Sequence, residues 1–492
     1  MPFLSKIARV EQAIHNASTY QEYYEACLEH DALSGANDWK AKDEAREYDY
    51  KLIRKRVERL KVAKAKDDPI GLMSVLHEGI HGNLGNIANP EMNHYAKIGT
   101  KYLIMEFIDQ VCDALSMIFH ADENDVTFYE KLSFFDDTYH AYGRSCLMLS
   151  GGAGLGFFHA GVIKSLVDND LLPNVISGAS AGSIITAMVG TRTDEELRAE
   201  ISAENIYDKF RNWCVWQGFG KDAFLDSTNL ENALIEMFGT MTFEEAFNRT
   251  GRKISITVSP SDIHQNSRLL NDKTSPNAII TMAVRASTAI PMFFSPVQLK
   301  AKNAAGDIVP YIPNRKFCDG SIMADMPFDR LARLYGVNHS IVSQTNPLAV
   351  PFLSRSKEHT QGLWSLTRRH IANMAKLNSV YAFEMMENMV GYEGLQLGIH
   401  KLRSIVEQQY VGDINILPQR SLDNVTRVLA NPTFEGIQDL IKSAEKATWP
   451  QLDLIKRNTK ISKTFRKYTK LLKKREAQLL SGRSGMRLVQ NL

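Results

Sequence analysis

Apolar and polar positions follow three textures along the chain. Residues 1 to 140 carry aliphatic side chains at helical spacing among many charges. Tyr48–Lys66 predicts one helix, and KYLIMEFIDQVCDALSMIF, Lys101–Phe119, predicts a strongly amphipathic second. A Gly- and Asn-rich connection, His81–Pro90, separates them. From about Cys146 short apolar runs alternate with helical ones. LMLS leads into SGGAGLG and then FFHAGVIKSLV, NVIS leads into GASAG and then SIITAMVG, and KISITV and SIVSQ follow. Short strands alternating with helices predict an α/β fold whose sheet is mainly parallel with crossover helices. After about Pro351 the pattern is helical to the end, with polar breaks near Asn415–Gln419 and Asn431–Thr433, and no segment repeats. The expected division is an N-terminal helical domain over 1–140, an α/β domain over 141–350, a helical region and possible lid over 351–455, and a basic amphipathic tail over 456–492.

Composition narrows the class. At 492 residues, with 44% apolar and 23% charged positions, the chain is expected to hold more than one cooperative unit and a sizeable core. No window offers the roughly 18 uninterrupted apolar residues of a spanning helix. The first twenty residues lack the apolar run and cleavage site of a secretory signal, which makes a cytoplasmic protein the expectation. Cys27, Cys112, Cys146, Cys214 and Cys318 are scattered, odd in number and without C-x-x-C spacing, so they read as reduced thiols.

The formal charge of +2 hides an asymmetry: Lys456–Arg487 holds twelve Lys or Arg and one acid, Glu476. Within it Ile461, Phe465, Tyr468 and Leu472 fall on one helical face, with Lys463, Arg466, Lys467 and Lys470 around them. Such a helix suits an anionic membrane or lipid-droplet surface. The plainer readings are a solvated helix docked on the protein body or a nucleic-acid-binding tail. Nothing else in the chain points to nucleic acid.

Gly178-Ala179-Ser180-Ala181-Gly182 matches the nucleophile elbow G-x-S-x-G between a predicted strand and helix. The flanking glycines, Gly178 and Gly182, permit the sharp turn that lifts the hydroxyl clear of the sheet at a helix N-terminus. The five letters alone are a weak signal. Their context strengthens it, because Gly151-Gly152-Ala153-Gly154 ends another predicted strand 27 residues before Gly178. Loops from neighbouring parallel strands meet, so the N–H groups of this loop can serve as an oxyanion hole for Ser180.

A serine needs a base. Asp319, in D-G-S (Asp319–Ser321), is the acidic candidate, and Asp325, six residues on, reads as a loop cap or helix starter. The rival is a triad in the order Ser180, Asp319, His339, although His339 stands at the start of a strand where packing histidines are common. Another class is raised by His77-Glu78-Gly79-Ile80-His81, the H-E-x-x-H pattern of zinc proteases. Gly79 and Gly82 weaken the helix that would hold both imidazoles, and His94 or Glu106 would be arbitrary third ligands.

Together these segments resemble the patatin-like phospholipase and lipase family, in its branch with an N-terminal helical extension. LSGGAGLGFFHAGVIKSL, GASAGSI, RASTAIPMFFSPV, DGSIMADMP and GVNHSIVSQTNP carry the likeness in the α/β part. YDYKLIRKRVERL and GNLGNIANP carry it before, so it spans about residues 15 to 355. The resemblance implies a three-layer α/β/α fold with flanking helical regions. It also implies a Ser180–Asp319 dyad with no histidine, and an oxyanion hole at Gly151, Gly152 and Ala153. Leu155 departs from the Arg or Lys that many members carry in this loop, leaving backbone N–H groups, Ala181 among them, to stabilise the oxyanion at about 3 to 4 kcal/mol each. D-G-S departs from the commoner D-G-G or D-G-A.

The reaction implied is acyl transfer from a glycerolipid, triacylglycerol or phospholipid, to water through an acyl-enzyme, with no metal or organic cofactor. An acyltransferase, a non-catalytic membrane or lipid-droplet scaffold, and a zinc hydrolase are the alternatives. Met292, Phe293 and Phe294, with Met374, Met385, Met386 and Met389, either line an acyl cleft or are ordinary core.

Overall fold

The computed structural model describes residues 2–213, 215–216, 225–262, 265–291, 293–321, 325–346, 412–418 and 430–490. Cys214, Met292, Met374, Met385, Met386, Met389 and most of the 351–455 region lie outside the described residues. The chain forms two compact units, Met1–Arg144 with Trp449–Leu492, and Ser145–Thr448.

The first unit is helical. Tyr50–Ala65 begins where Asp49 accepts the Leu52 N–H at 3.0 Å, and it buries Ile53, Val57 and Leu60 from one face. Tyr102–His120 and Phe128–Tyr142 supply Phe107, Val111, Leu115, Phe135 and Tyr139 to the same core. The second of these starts with a capping box of Thr127 and Glu130. The C-terminal helix, Phe434–Gln490, brings Ile461, Phe465, Tyr468 and Leu472 into this core, each at most 5% exposed. Phe465 stacks on Tyr139 with ring centroids 5.7 Å apart, and Tyr468 stacks on Phe119 at 4.6 Å.

This corrects the expectation that the apolar face of the tail meets a lipid surface. Four large side chains already buried contribute about 6 to 12 kcal/mol to the fold. A membrane could take that face only after the unit gave it up. Residues 456–492 are therefore part of the helical unit and not a separate tail.

In the second unit the main sheet is built from β1 (Arg144–Leu149), β2 (Val175–Gly178), β3 (Lys253–Pro260), β4 (Arg268–Asn271), β5 (Val297–Gln298), β6 (Lys316–Asp319), β7 (Val337–Ser343) and β8 (Ile414–Ile416). Their order is β8-β7-β1-β2-β3-β6-β5, and β4 also pairs with β3. β7 with β8, β1 with β2, and β2 with β3 run parallel, whereas β4 and β6 run antiparallel to β3. Helices Phe158–Asp168 and Ala181–Thr191 are the crossovers after β1 and β2, and both are buried almost throughout. The α/β expectation holds, with an antiparallel edge that strand-helix alternation does not announce.

Register sets the heights of the functional loops. Gly178 faces Ile256 on one side of β3, and Asp319 faces Val258 on the other. Ser180, two residues past Gly178, therefore stands level with Asp319 across two strand spacings, about 10 Å at the backbone.

Candidate active site

Ser180 sits between β2 and the helix Ala181–Thr191 with φ 51° and ψ −127°, a left-handed conformation that costs a non-glycine residue about 1 to 3 kcal/mol. Its neighbours hold the strain. The Ser180 N–H donates to Ser287 Oγ at 2.9 Å, and Ser287 Oγ donates to the Thr257 carbonyl at 2.7 Å. Ser183 Oγ–H donates to the Ser180 carbonyl at 2.6 Å. The turn closes so tightly that a Cβ on Gly178 would stand 2.3 Å from the Gly182 carbonyl oxygen, which excludes any side chain there. Ser180 is only 4% exposed.

Asp319, buried at the end of β6, accepts the Ser321 N–H and Oγ–H at its Oδ1, each at 2.8 Å, while its own N–H donates to the Ala289 carbonyl at 3.0 Å. Gly320 is required for this approach, because a Cβ there would lie 2.1 Å from the Thr257 carbonyl oxygen. Gly151 marks the convergence: a Cβ on it would meet Ser321 Cβ at 2.8 Å and Ser180 Cβ at 3.2 Å. The elbow, the glycine loop and the D-G-S loop thus share one small space.

Within the glycine loop the donors divide. The Gly151 N–H donates to Asp325 Oδ1 at 2.7 Å, so Gly151 is not an oxyanion donor as expected but the anchor of the loop. The N–H groups of Gly152, Ala153 and Ala181 have no acceptor among the described residues. Asp325 is correspondingly not a helix starter, since Pro327 occupies the N-cap of the next helix. It is 1% exposed, and burial above all, with the Asp319 charge adding to it, pushes its carboxyl up to about 8. Its role and that of Ser287 escaped the sequence reading. Both are short polar residues in apolar surroundings, a signal that suggests burial without naming the partner.

His339 does not join this site. Its Nδ1 lies 3.0 Å from Ser145 Oγ, near the start of β1, while Ser343, four residues on, accepts the Ser150 N–H at 3.1 Å. Four residues of strand put the imidazole about 13 Å below the loops. Nearer the loop is His159, whose Nε2–H donates to the Ser150 carbonyl at 2.9 Å while Nδ1 accepts from Ser343 Oγ at 2.7 Å, a tautomer assigned from these partners. Burial pulls its pKa down to about 4, so it is a neutral prop beneath the glycine loop.

The H-E-x-x-H pattern is not helical throughout. The helix Pro69–His77 ends at its first histidine, and Gly79 turns at φ 74°, so the two imidazoles do not share a helix face. Glu78 is engaged by Arg56 and Arg59.

Beside Ser180 opens an apolar cleft of about 490 Å3, counting the solvent at its mouth. Ala153 and Ala181 border it with Ser180, and Phe157, Ile184, Ile185, Phe210, Leu230 and Ile290 continue it. Phe294 belongs to a core cluster with Leu225 and Ala289 and does not line the cleft.

This is the architecture of nucleophile-elbow α/β proteins. Residues 147–332 match the family described as Patatin-like phospholipase, and residues 4–140 match a domain of unknown function, DUF3336. The chain is 34% identical over 469 residues to Triacylglycerol lipase 4 of Saccharomyces cerevisiae, covering 89% of this chain and 50% of that protein. It is 34% identical over 431 residues to Triacylglycerol lipase SDP1L of Arabidopsis thaliana, covering 84% and 53%. With Triacylglycerol lipase ptl2 of Schizosaccharomyces pombe it shares 30% identity over 482 residues, covering 93% and 75%. The chain belongs to the patatin-like phospholipase family. It spans about half the length of the first two relatives.

Proposed function

We propose that the protein hydrolyses fatty acyl esters of glycerolipids through an acyl-enzyme on Ser180, with Asp319 as the base. Asp319 takes the Oγ proton as Oγ attacks the ester carbonyl, and the carbonyl electron pair moves to oxygen. The oxyanion is held by the N–H groups of Gly152, Ala153 and Ala181, at about 3 to 4 kcal/mol per donor. Its collapse expels the glyceride oxygen, which leaves with the proton from Asp319. Water then attacks the acyl ester, delivers its proton to Asp319, and the fatty acid departs as Oγ regains a proton.

The observation that carries this reading is the strained Ser180 at a helix head, beside three N–H groups without acceptors among the described residues and opening on an apolar cleft. The relatives named triacylglycerol lipases favour a neutral glyceride over a phospholipid.

Such substrates gather at lipid surfaces, and no described helix is long and apolar enough to cross a membrane. Arg466, Lys467, Lys470 and Lys474 remain exposed on the outer face of the C-terminal helix, so attraction to anionic lipid, at about 1 kcal/mol per cation, needs no unpacking. The test is fatty-acid release from trioleoylglycerol and phosphatidylcholine by wild type and Ser180→Ala. Release on at least one lipid is expected, with a loss of at least a thousandfold in the variant. Release that survives the substitution refutes the nucleophile.

A further inference from the structure

The apolar cleft does not end at its first wall. Phe157, Ile184, Ile185 and Phe210 also belong to a second apolar space of about 310 Å3, counting the solvent at its mouth, which Met188 and Met237 line as well. The Phe157 and Phe210 rings pack against each other, centroids 5.7 Å apart, where the two spaces adjoin, so a chain passes this neck only as these rings part. Ile184 and Met188, four residues apart in the helix Ala181–Thr191, lie along one face, and Ser180 stands just before its first turn. At 1.5 Å per residue, Ile184 is about 6 Å and Met188 about 12 Å from the nucleophile along the axis.

An ion pair with internal partners borders the second space, beside the exposed Asn205. Glu200 accepts from Lys209 Nζ at 2.7 Å and from Arg192 Nη2 at 2.9 Å. Both Glu200 and Lys209 border the second space. Between Ser180 and this ion pair the walls are mainly hydrocarbon, aromatic rings and two thioethers. Methionines adapt their rotamers to an occupant at little cost. A linear chain, methylene after methylene, is the ligand that fits an apolar passage starting at an acyl-accepting oxygen and ending at a satisfied ion pair.

We propose that the two spaces are consecutive segments of one acyl-chain channel, and that Met188 and Met237 at its far end set the preferred chain length. This rests on the acyl hydrolase reading above. An extended chain advances about 1.3 Å per methylene, given C–C bonds of about 1.5 Å. A butyryl group, at about 4 Å, ends short of Ile184, whereas a decanoyl group, at about 12 Å, reaches Met188.

The experiment compares kcat/KM for p-nitrophenyl butyrate and decanoate in wild type, Met237→Trp and Phe210→Ala. Filling the distal segment in Met237→Trp lowers the decanoate-to-butyrate ratio at least tenfold. The ceiling is about a thousandfold if five methylenes lose about fourfold each. Opening the neck in Phe210→Ala raises the same ratio several-fold. A ratio within twofold of wild type in either folded variant overturns the channel. A wild type that cleaves neither ester overturns the hydrolase reading, and the channel with it.

Discussion

Replacing Asp325 by Asn isolates the consequence of burying a carboxyl beneath the glycine loop. The Asn Oδ1 can still accept the Gly151 N–H, now 2.7 Å from the Asp325 oxygen, and the amide of Asn346 can turn its own oxygen to the new NH2 group. What changes is the proton. Burial raises the Asp325 carboxyl from its ordinary 3.8 to about 8, so between those values the folded chain holds a proton that the unfolded chain releases. A raised folded pKa gives stability that is full below the unfolded value and lost as pH rises through the folded one. The slope is about 1.4 kcal/mol per pH unit, which over some four units comes to about 6 kcal/mol. Asn carries no such term. The stability of D325N minus that of wild type should therefore climb by about 4 kcal/mol between pH 5 and pH 8. Thermal unfolding of both proteins at each pH reads this as a widening gap, at about 2 to 4 °C per kcal/mol for a domain of this size. A gap that stays constant from pH 5 to 8 would mean that Asp325 is ionised in the fold, and the argument would be wrong.

Three further substitutions test other parts of the reasoning. Ser287→Ala leaves the buried Ser180 N–H without its acceptor, a cost of about 1 to 3 kcal/mol, and should lower kcat about tenfold or more while KM moves little. Wild-type kcat would show that the elbow holds itself. His339→Ala should keep esterase activity within a few-fold, and a thousandfold loss measured on a soluble ester would restore the triad. Phe465→Ala should destabilise the helical unit by about 3 to 5 kcal/mol, because its ring is fully buried against Tyr139 and Tyr142. Denaturation curves superimposable on wild type would contradict the packing.

The parallel half of the sheet was legible because alternating strand and helix patterns leave few topologies. β4 and β6 were not, since the direction of each is set by pairing with β3 and not by its own pattern. The elbow and the D-G-S loop were readable for a steric reason. Gly178 and Gly320 stand where backbone oxygens would lie 2.3 and 2.1 Å from a Cβ, and such sites advertise themselves in letters. Asp325 was legible as polar but not as a partner. It reaches back 174 residues to Gly151, and no local capping pattern encodes a bond of that span.

The C-terminal helix carries the same lesson to the surface. Periodicity identified the stripe Ile461, Phe465, Tyr468 and Leu472 correctly, yet a stripe specifies only that something apolar covers it. Protein and lipid satisfy that demand equally, and the choice falls to whichever partner is held nearby. Here the Phe119, Phe135 and Tyr139 rings meet it. Lys473 pairs with Asp136 at 2.7 Å at its edge, an exposed pair that adds about 1 kcal/mol at most. Packing, and not charge, therefore fixes the helix. The cations on its opposite face are exposed, and the lipid attraction proposed for them should weaken with salt while the fold does not.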